Sequence, residues 1–406
     1  MDIGIDITLT DFPYMDKARV VPFEKMWGSI LLENVIDSVA CTGAQQMHLR
    51  VHAPGPLWPT KIREAYPLNW DFLFKEKGWR PLLSEWDMPG EAVRAAHVKD
   101  LKIFAWFDMV EGHGGLPTIW SLWHPEYSIV NREGIRLDGL YGIRDMIGMP
   151  ALEQLPGMHF YKLREKGIID SHCNRPDGIH CDAQLSLAFP EVVEYRLSLI
   201  RELVRYGFDG LHLAANNCVG FEEPVRKEFM ELYGEELCKV PDDDHRWLKL
   251  QRKYFNAFLS KLREMIKEET KGKTERFELI IEGQRTGEGN EERCSEQGWE
   301  NIPYWAGMPG FVDAESIADD ALADCLIFWR FGEIDELGDD TRGKIRIGTR
   351  YRGIKPKRFV KEEYEKRLRG AERRGVDLFV LNEARVSLFE DRWIYQRRPG
   401  ALFTLY

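Results

Sequence analysis

The chain has 406 residues, enough for one large domain or two medium ones, and its 44% hydrophobic content is enough to fill a sizeable core. A formal net charge of −11 excludes a general nucleic-acid binder, which needs a basic face to neutralise phosphates. No run of eighteen apolar residues occurs, so no membrane partner is expected.

The opening, MDIGIDITLTDFPYMDK, carries acids where a secretion signal needs a basic start and an apolar run, which reads as a cytoplasmic protein. Its seven cysteines lack regular spacing and read as reduced thiols rather than a disulfide framework. In chain order, short apolar runs predict strands over 2–9, 46–51, 102–109, 210–215, 277–282, 324–330, 344–350 and 377–383. Helical patterns lie between them. In PEVVEYRLSLIRELVRYG, Pro190 opens a helix, Gly207 closes it, and Val193, Leu197, Ile200 and Val204 recur at helical spacing. Longer amphipathic runs begin at His245 and Lys361. Eight strands with intervening helices predict a (β/α)₈ TIM barrel, and with no Pro/Gly/Ser-rich linker the whole of 1–406 reads as one domain. Long loops after strands three and five, roughly 112–188 and 284–320, are expected to build the mouth of the site.

HPEYSIVNREG (124–134), the helix above with its DGLHL strand, and GFEEPVRKEFMELYGEE occur in a characteristic order. In that order the chain resembles the glycosyl hydrolase-like family 10 barrels, which are distantly similar to the α-amylase superfamily. The resemblance implies a carbohydrate-directed barrel with a carbohydrate substrate, no cofactor and no set oligomeric state. In the related enzymes strand four ends in an Asp that attacks the sugar. Here Gly210, Leu211, His212 and Leu213 fit that pattern and the nucleophile position falls on Ala214, with Asn216 and Asn217 just beyond. An engineered knock-out, a degenerate site and a different acid pair all account for that alanine.

The carboxyl ends of barrel strands carry the chemistry, so polar residues there are the candidates. Glu282 ends strand five where the related superfamily keeps its general acid. Burial there is expected to raise its pKa as an acid requires, the alternative being an ion pair with Arg285 or Arg350. Asp108, Glu111 and His113 crowd one turn after strand three and read as substrate contacts, a metal site or loop structure. Asn382 and Glu383 end strand eight. By alternation His48, Arg50 and His52 share one face of strand two, with Arg50 placed to hold Asp108 or a sugar carboxylate. His212 reads as a core or sugar-contacting residue. SHCNRPDGIHCD (171–182) reads as a structured loop, because adjacent His-Cys pairs lack zinc-ligand spacing.

Trp120, Trp123, Tyr304, Trp305 and Trp329 offer faces on which sugars stack. Arg50, Arg285, Arg350 and Arg352 form a floor for an acidic sugar or neutralise the barrel's own acids. The expectation is glycoside hydrolysis with Glu282 as general acid and Asp108 or Glu383 as base. Two alternatives stand beside it: a non-catalytic carbohydrate-binding barrel, and a metal-dependent hydrolase or lyase using the Asp108–Glu111–His113 turn with His52.

Overall fold

The computed structural model describes residues 1–8, 29–52, 55–65, 86–109, 120–121, 124–132, 134, 184–215, 218–241, 243–273, 276–283, 312–351 and 361–381. Eight parallel strands close into a barrel in sequence order, each hydrogen-bonded to its neighbours and the eighth back to the first. They are β1 (Asp2–Ile7), β2 (Gln46–His52), β3 (Lys102–Asp108), β4 (Gly210–Ala214), β5 (Glu278–Glu282), β6 (Cys325–Phe328), β7 (Arg346–Tyr351) and β8 (Leu378–Leu381). All eight sequence-predicted strands are present.

A helix separates each strand from the next. The order is α1 (Ser29–Ala40), α2 (Met88–Val98), α3 (Pro190–Arg205), α4 (Glu223–Tyr233), α5 (His245–Glu269), α6 (Ala314–Asp319), α7 (Phe331–Asp335), α8 (Asp339–Lys344) and α9 (Lys361–Arg373). Their starts follow local chemistry. Pro190 opens α3, Asp244 caps α5 by accepting from Arg246 N at 2.8 Å, and Asp313 caps α6 by accepting from Ser316 N at 3.1 Å. That last cap ends the segment after β5 earlier than the expected 320. Most of the two long connections after β3 and β5 lies outside the described residues. No described helix is long and apolar enough to cross a membrane.

Alternation along the strands divides the core in two. Ile3, Ile5 and Ile7 of β1, Met47 and Leu49 of β2, Ile103 and Phe107 of β3, and Leu211 and Leu213 of β4 join the helices in one large apolar layer. The opposite faces meet inside the barrel, where Phe104, Ile280, Cys325, Ile327, Leu378 and Val380 form a separate cluster. The inner face is not uniformly apolar; it also carries Asp6, His48, His212, Glu282 and Arg350, all buried.

A recurring device pins the strands in pairs. The residue preceding each even strand accepts the first ladder N–H of the odd strand before it. Gln45 takes Ile3 N at 2.8 Å, Asp209 takes Ile103 N at 2.7 Å, Asp324 takes Leu279 N at 2.7 Å, and Asp377 takes Ile347 N at 2.8 Å. At the same end, Arg346 bridges Glu278 and Asp2 at 2.9 Å each, closing the amino-terminal face with charge pairs. That leaves the carboxyl-terminal face for chemistry.

Gly210 marks the tightest point inside the barrel: a Cβ there would lie 2.6 Å from the Phe104 ring and collide with the Glu278 carbonyl oxygen. Gly210→Ala is therefore expected to cost about 1–3 kcal/mol by overpacking, read as a lower urea midpoint with an unchanged slope.

Candidate active site

The carboxyl-terminal half of the barrel interior holds one connected polar cluster. Arg350, from β7, is its centre. Its Nη1 donates to both carboxylate oxygens of Glu282, at 2.5 Å to Oε2, and its Nη2 lies 2.5 Å from Asp6 Oδ2. The guanidinium packs 4.5 Å from the centre of the Trp106 ring and 4.9 Å from that of Trp329. From β4, His212 places Nε2 2.9 Å from Glu282 Oε2 and Nδ1 2.8 Å from Nδ1 of His48. A carboxylate only accepts, so the Nε2 proton belongs to His212, and the Nδ1 pair shares one further proton.

Environment sets the charges. Burial pushes the Glu282 carboxyl up, but the Arg350 guanidinium and the His212 hydrogen bond more than offset this and hold it well below the usual carboxylate range. Glu282 is thus a carboxylate in the free protein, the reverse of the raised pKa expected from burial alone. The expectation failed because it counted desolvation and left out the partner on β7. Asp6 behaves oppositely. Burial dominates over Arg350 and pushes it up to about 6. Burial, then the neighbouring His212 and Arg350, keeps His48 neutral.

Beside this cluster, Arg50 Nη2 donates to Asp108 Oδ2 at 2.6 Å, and the Arg50 guanidinium covers Trp106 at 5.0 Å. Of the two sequence readings for Arg50, Asp108 is the carboxylate it holds. Parallel pairing sets Asp108 opposite Ala214 and Ala214 opposite Glu282, so all three share one face at one level. Ala214, at the position of the missing nucleophile, therefore stands between two acids. From α3, the fully buried Arg196 donates to the Met109 carbonyl and fixes the chain just past Asp108.

Of the sequence candidates, Glu282, Asp108, Arg50, His212, Arg350 and Trp329 come together here. His52 does not. The β2–β3 register shifts between Arg50 and His52, pairing His52 with Phe107, on whose ring it stacks at 4.1 Å. The bulge turns it to the helix-facing side, which a strict alternation count cannot foresee. It is thereby removed from the metal set it was to share with the Asp108 turn. Glu111, His113, Asn216, Arg285, Trp305 and Glu383 lie outside the described residues, as do Arg352, Trp123 and Tyr304. Sequence reasoning missed Asp6, Trp106 and Arg196. Asp6 had a signal: a second charge, after Asp2, on the same face of a strand whose other residues are apolar or glycine.

No protein-family model matches the sequence, the glycosyl hydrolase-like family 10 included, and no curated protein matches it. Similar solved structures are glycoside hydrolases built on barrels. The PgaB (BpsB) glycoside hydrolase domain from Bordetella bronchiseptica is 13% identical over 94% of this chain and 93% of its own, with a TM-score of 0.49. α-L-Fucosidase isoenzyme 2 from Paenibacillus thiaminolyticus is 12% identical with a TM-score of 0.51, over 99% of this chain but 48% of its own. The likeness to the fucosidase, at 12% identity, is one of fold alone.

Two outcomes follow from the charge arrangement. Arg350→Met strands two buried carboxylates and is expected to cost roughly 3–5 kcal/mol in urea denaturation at neutral pH. Asp6 has a folded pKa of about 6 against the ordinary 3.8, so its contribution to stability is complete below the lower value and is lost as pH rises through the upper one. Asp6→Asn is expected to remove that component from urea midpoints compared between pH 4 and 7.

Proposed function

We propose that the protein is a glycoside hydrolase whose reacting centre lies at the carboxyl-terminal mouth of the barrel, around Ala214. The observation that carries this reading is the alignment of Asp108, Ala214 and Glu282 at one level on three successive strands. Two carboxyl groups there flank a residue too small to fill the space a longer side chain would take. Adjacent strands lie about 4.8 Å apart, so the backbones bearing the two acids are separated by roughly twice that. Those two are the water-activating and charge-stabilising groups, and the spacing that separates inversion from retention is the one between the base and the proton donor.

The roles differ from those expected of the sequence. Glu282, held as a carboxylate by Arg350 and His212, is the anion that faces positive charge developing at the anomeric carbon. Asp108, oriented by Arg50, draws the proton from the attacking water. The proton donor to the leaving group is then Glu383, the third acid assigned a catalytic role from the sequence. Arg50 and Arg350 each already hold a carboxylate, so they favour a neutral glycoside over an acidic one. Trp329, half-buried beside Arg350, is the described aromatic surface for sugar stacking.

The test is product release from a panel of neutral and acidic oligosaccharides by the unaltered chain, Asp108→Asn, Glu282→Gln and Glu383→Gln. The expected result is turnover that falls by about 10²–10⁴-fold in each variant. In Glu383→Gln the loss should be smallest on substrates with good leaving groups. Glycan binding with no product from the unaltered chain would replace this reading with a carbohydrate-binding barrel. Activity appearing only in Ala214→Asp would identify a retaining enzyme that has lost its nucleophile.

A further inference from the structure

We propose that Asp6, His48 and His212 form a binding site for a zinc-like divalent transition-metal ion beneath the mouth of the barrel. Three donor atoms from three strands converge there. His48 Nδ1 and His212 Nδ1 are 2.8 Å apart, and Asp6 Oδ1 lies 3.7 Å from the first and 3.9 Å from the second. A triangle with those sides has a centre roughly 2 Å from every corner, the length of a zinc bond to imidazole nitrogen or carboxylate oxygen. All three residues are fully buried, and together they offer ligand atoms close enough to share one ion.

The surroundings favour an ion at Asp6 Oδ1 and at His212 Nδ1. Among the described residues, nothing donates a hydrogen bond to Asp6 Oδ1, an expensive omission for a buried carboxylate oxygen unless something else meets it. Arg350 lies against the other oxygen, leaving Oδ1 to bind through a single contact. The His212 ring directs Nδ1 into the triangle while Nε2 hydrogen-bonds Glu282 at 2.9 Å, the carboxylate–histidine relation that orients metal-bound imidazoles. Phe104 stacks on His48 at 5.1 Å and Trp106 on His212 at 5.8 Å, fixing both rings.

Charge is also suitable. The carboxylates of Asp6 and Glu282 outnumber the single guanidinium between them, leaving a buried negative excess that a dication offsets. Two imidazoles and one carboxylate suit zinc and its neighbours rather than calcium or magnesium, which prefer all-oxygen shells. Three protein donors are one short of the four that a closed structural zinc site takes. The site stands on these distances whatever the barrel acts on.

The full-length chain can be unfolded in denaturant with a chelator, refolded without metal, and titrated with cobalt(II). The expected result is one equivalent bound, with the visible absorption of low-coordinate cobalt and no thiolate charge-transfer band, displaced by zinc. His48→Gln and Asp6→Asn should abolish the band, and Glu282→Gln should weaken binding about 10–100-fold. X-ray absorption of the zinc-loaded unaltered chain, which needs no variant to fold, should show nitrogen and oxygen neighbours at about 2.0–2.1 Å with two imidazoles. No stoichiometric binding, a sulfur shell, or the same affinity in the folded variants would overturn the proposal. The Nδ1 contact would then be a hydrogen bond between neutral rings.

Discussion

The Arg350 guanidinium is the group on which the upper half of the barrel depends. It is buried, it meets carboxylates from β1 and β5, and it lies between two indole rings. Placing so many charges inside a barrel is costly unless every charge is partnered. The strand register arranges those partners, since β1, β5 and β7 each present an inward side chain at neighbouring heights. The four side-chain caps at the opposite end hold that register. Precision at the site is thus inherited from hydrogen bonds at the far face, and the chemistry of Glu282 follows from its neighbours rather than from its depth.

Much of the architecture was legible because apolar runs bounded by turn residues identify strands with little ambiguity when helices alternate between them. The short β6 and the weakly delimited β1 fall within the predicted segments, and β7 overruns its segment by one residue, Tyr351. The short helices α6 to α8 were not read, being too brief for a period of 3.6 to show. Strand-end reasoning and the structure agree on where Glu282, Asp108 and Arg50 lie along their strands, because direction along a strand survives any uncertainty of register. Facing is more fragile. One extra residue in β2 reverses His52 and defeats the parity argument, while Arg50, before the bulge, is unaffected. Partnership is the least legible of all: nothing local to Glu282 says that Arg350, on a strand distant in sequence, will keep it ionised.

The inner face carries two kinds of device. Glycines at 4, 210 and 348 give up side chains so that His48, Phe104 and Ile327 can reach across the barrel. Polar residues then use the space above them. The Asp6–His48–His212 triangle and the Asp108–Ala214–Glu282 row are consecutive levels of one stack, joined by the His212–Glu282 hydrogen bond. A change in charge at the lower level reaches the upper through that imidazole and through Arg350, which meets both Asp6 and Glu282.

The central claim is that Glu282 is a carboxylate in the folded protein because Arg350 and His212 hold it so. The most direct measurement is a carbon-13 titration of glutamate side-chain carboxyls, with Glu282 identified by the signal missing from Glu282→Gln. The account predicts a resonance that stays at the ionised shift as pH falls past 4, below the range where ordinary glutamates titrate. A Glu282 signal that titrates above that range would contradict it, and would return the residue to the role of proton donor.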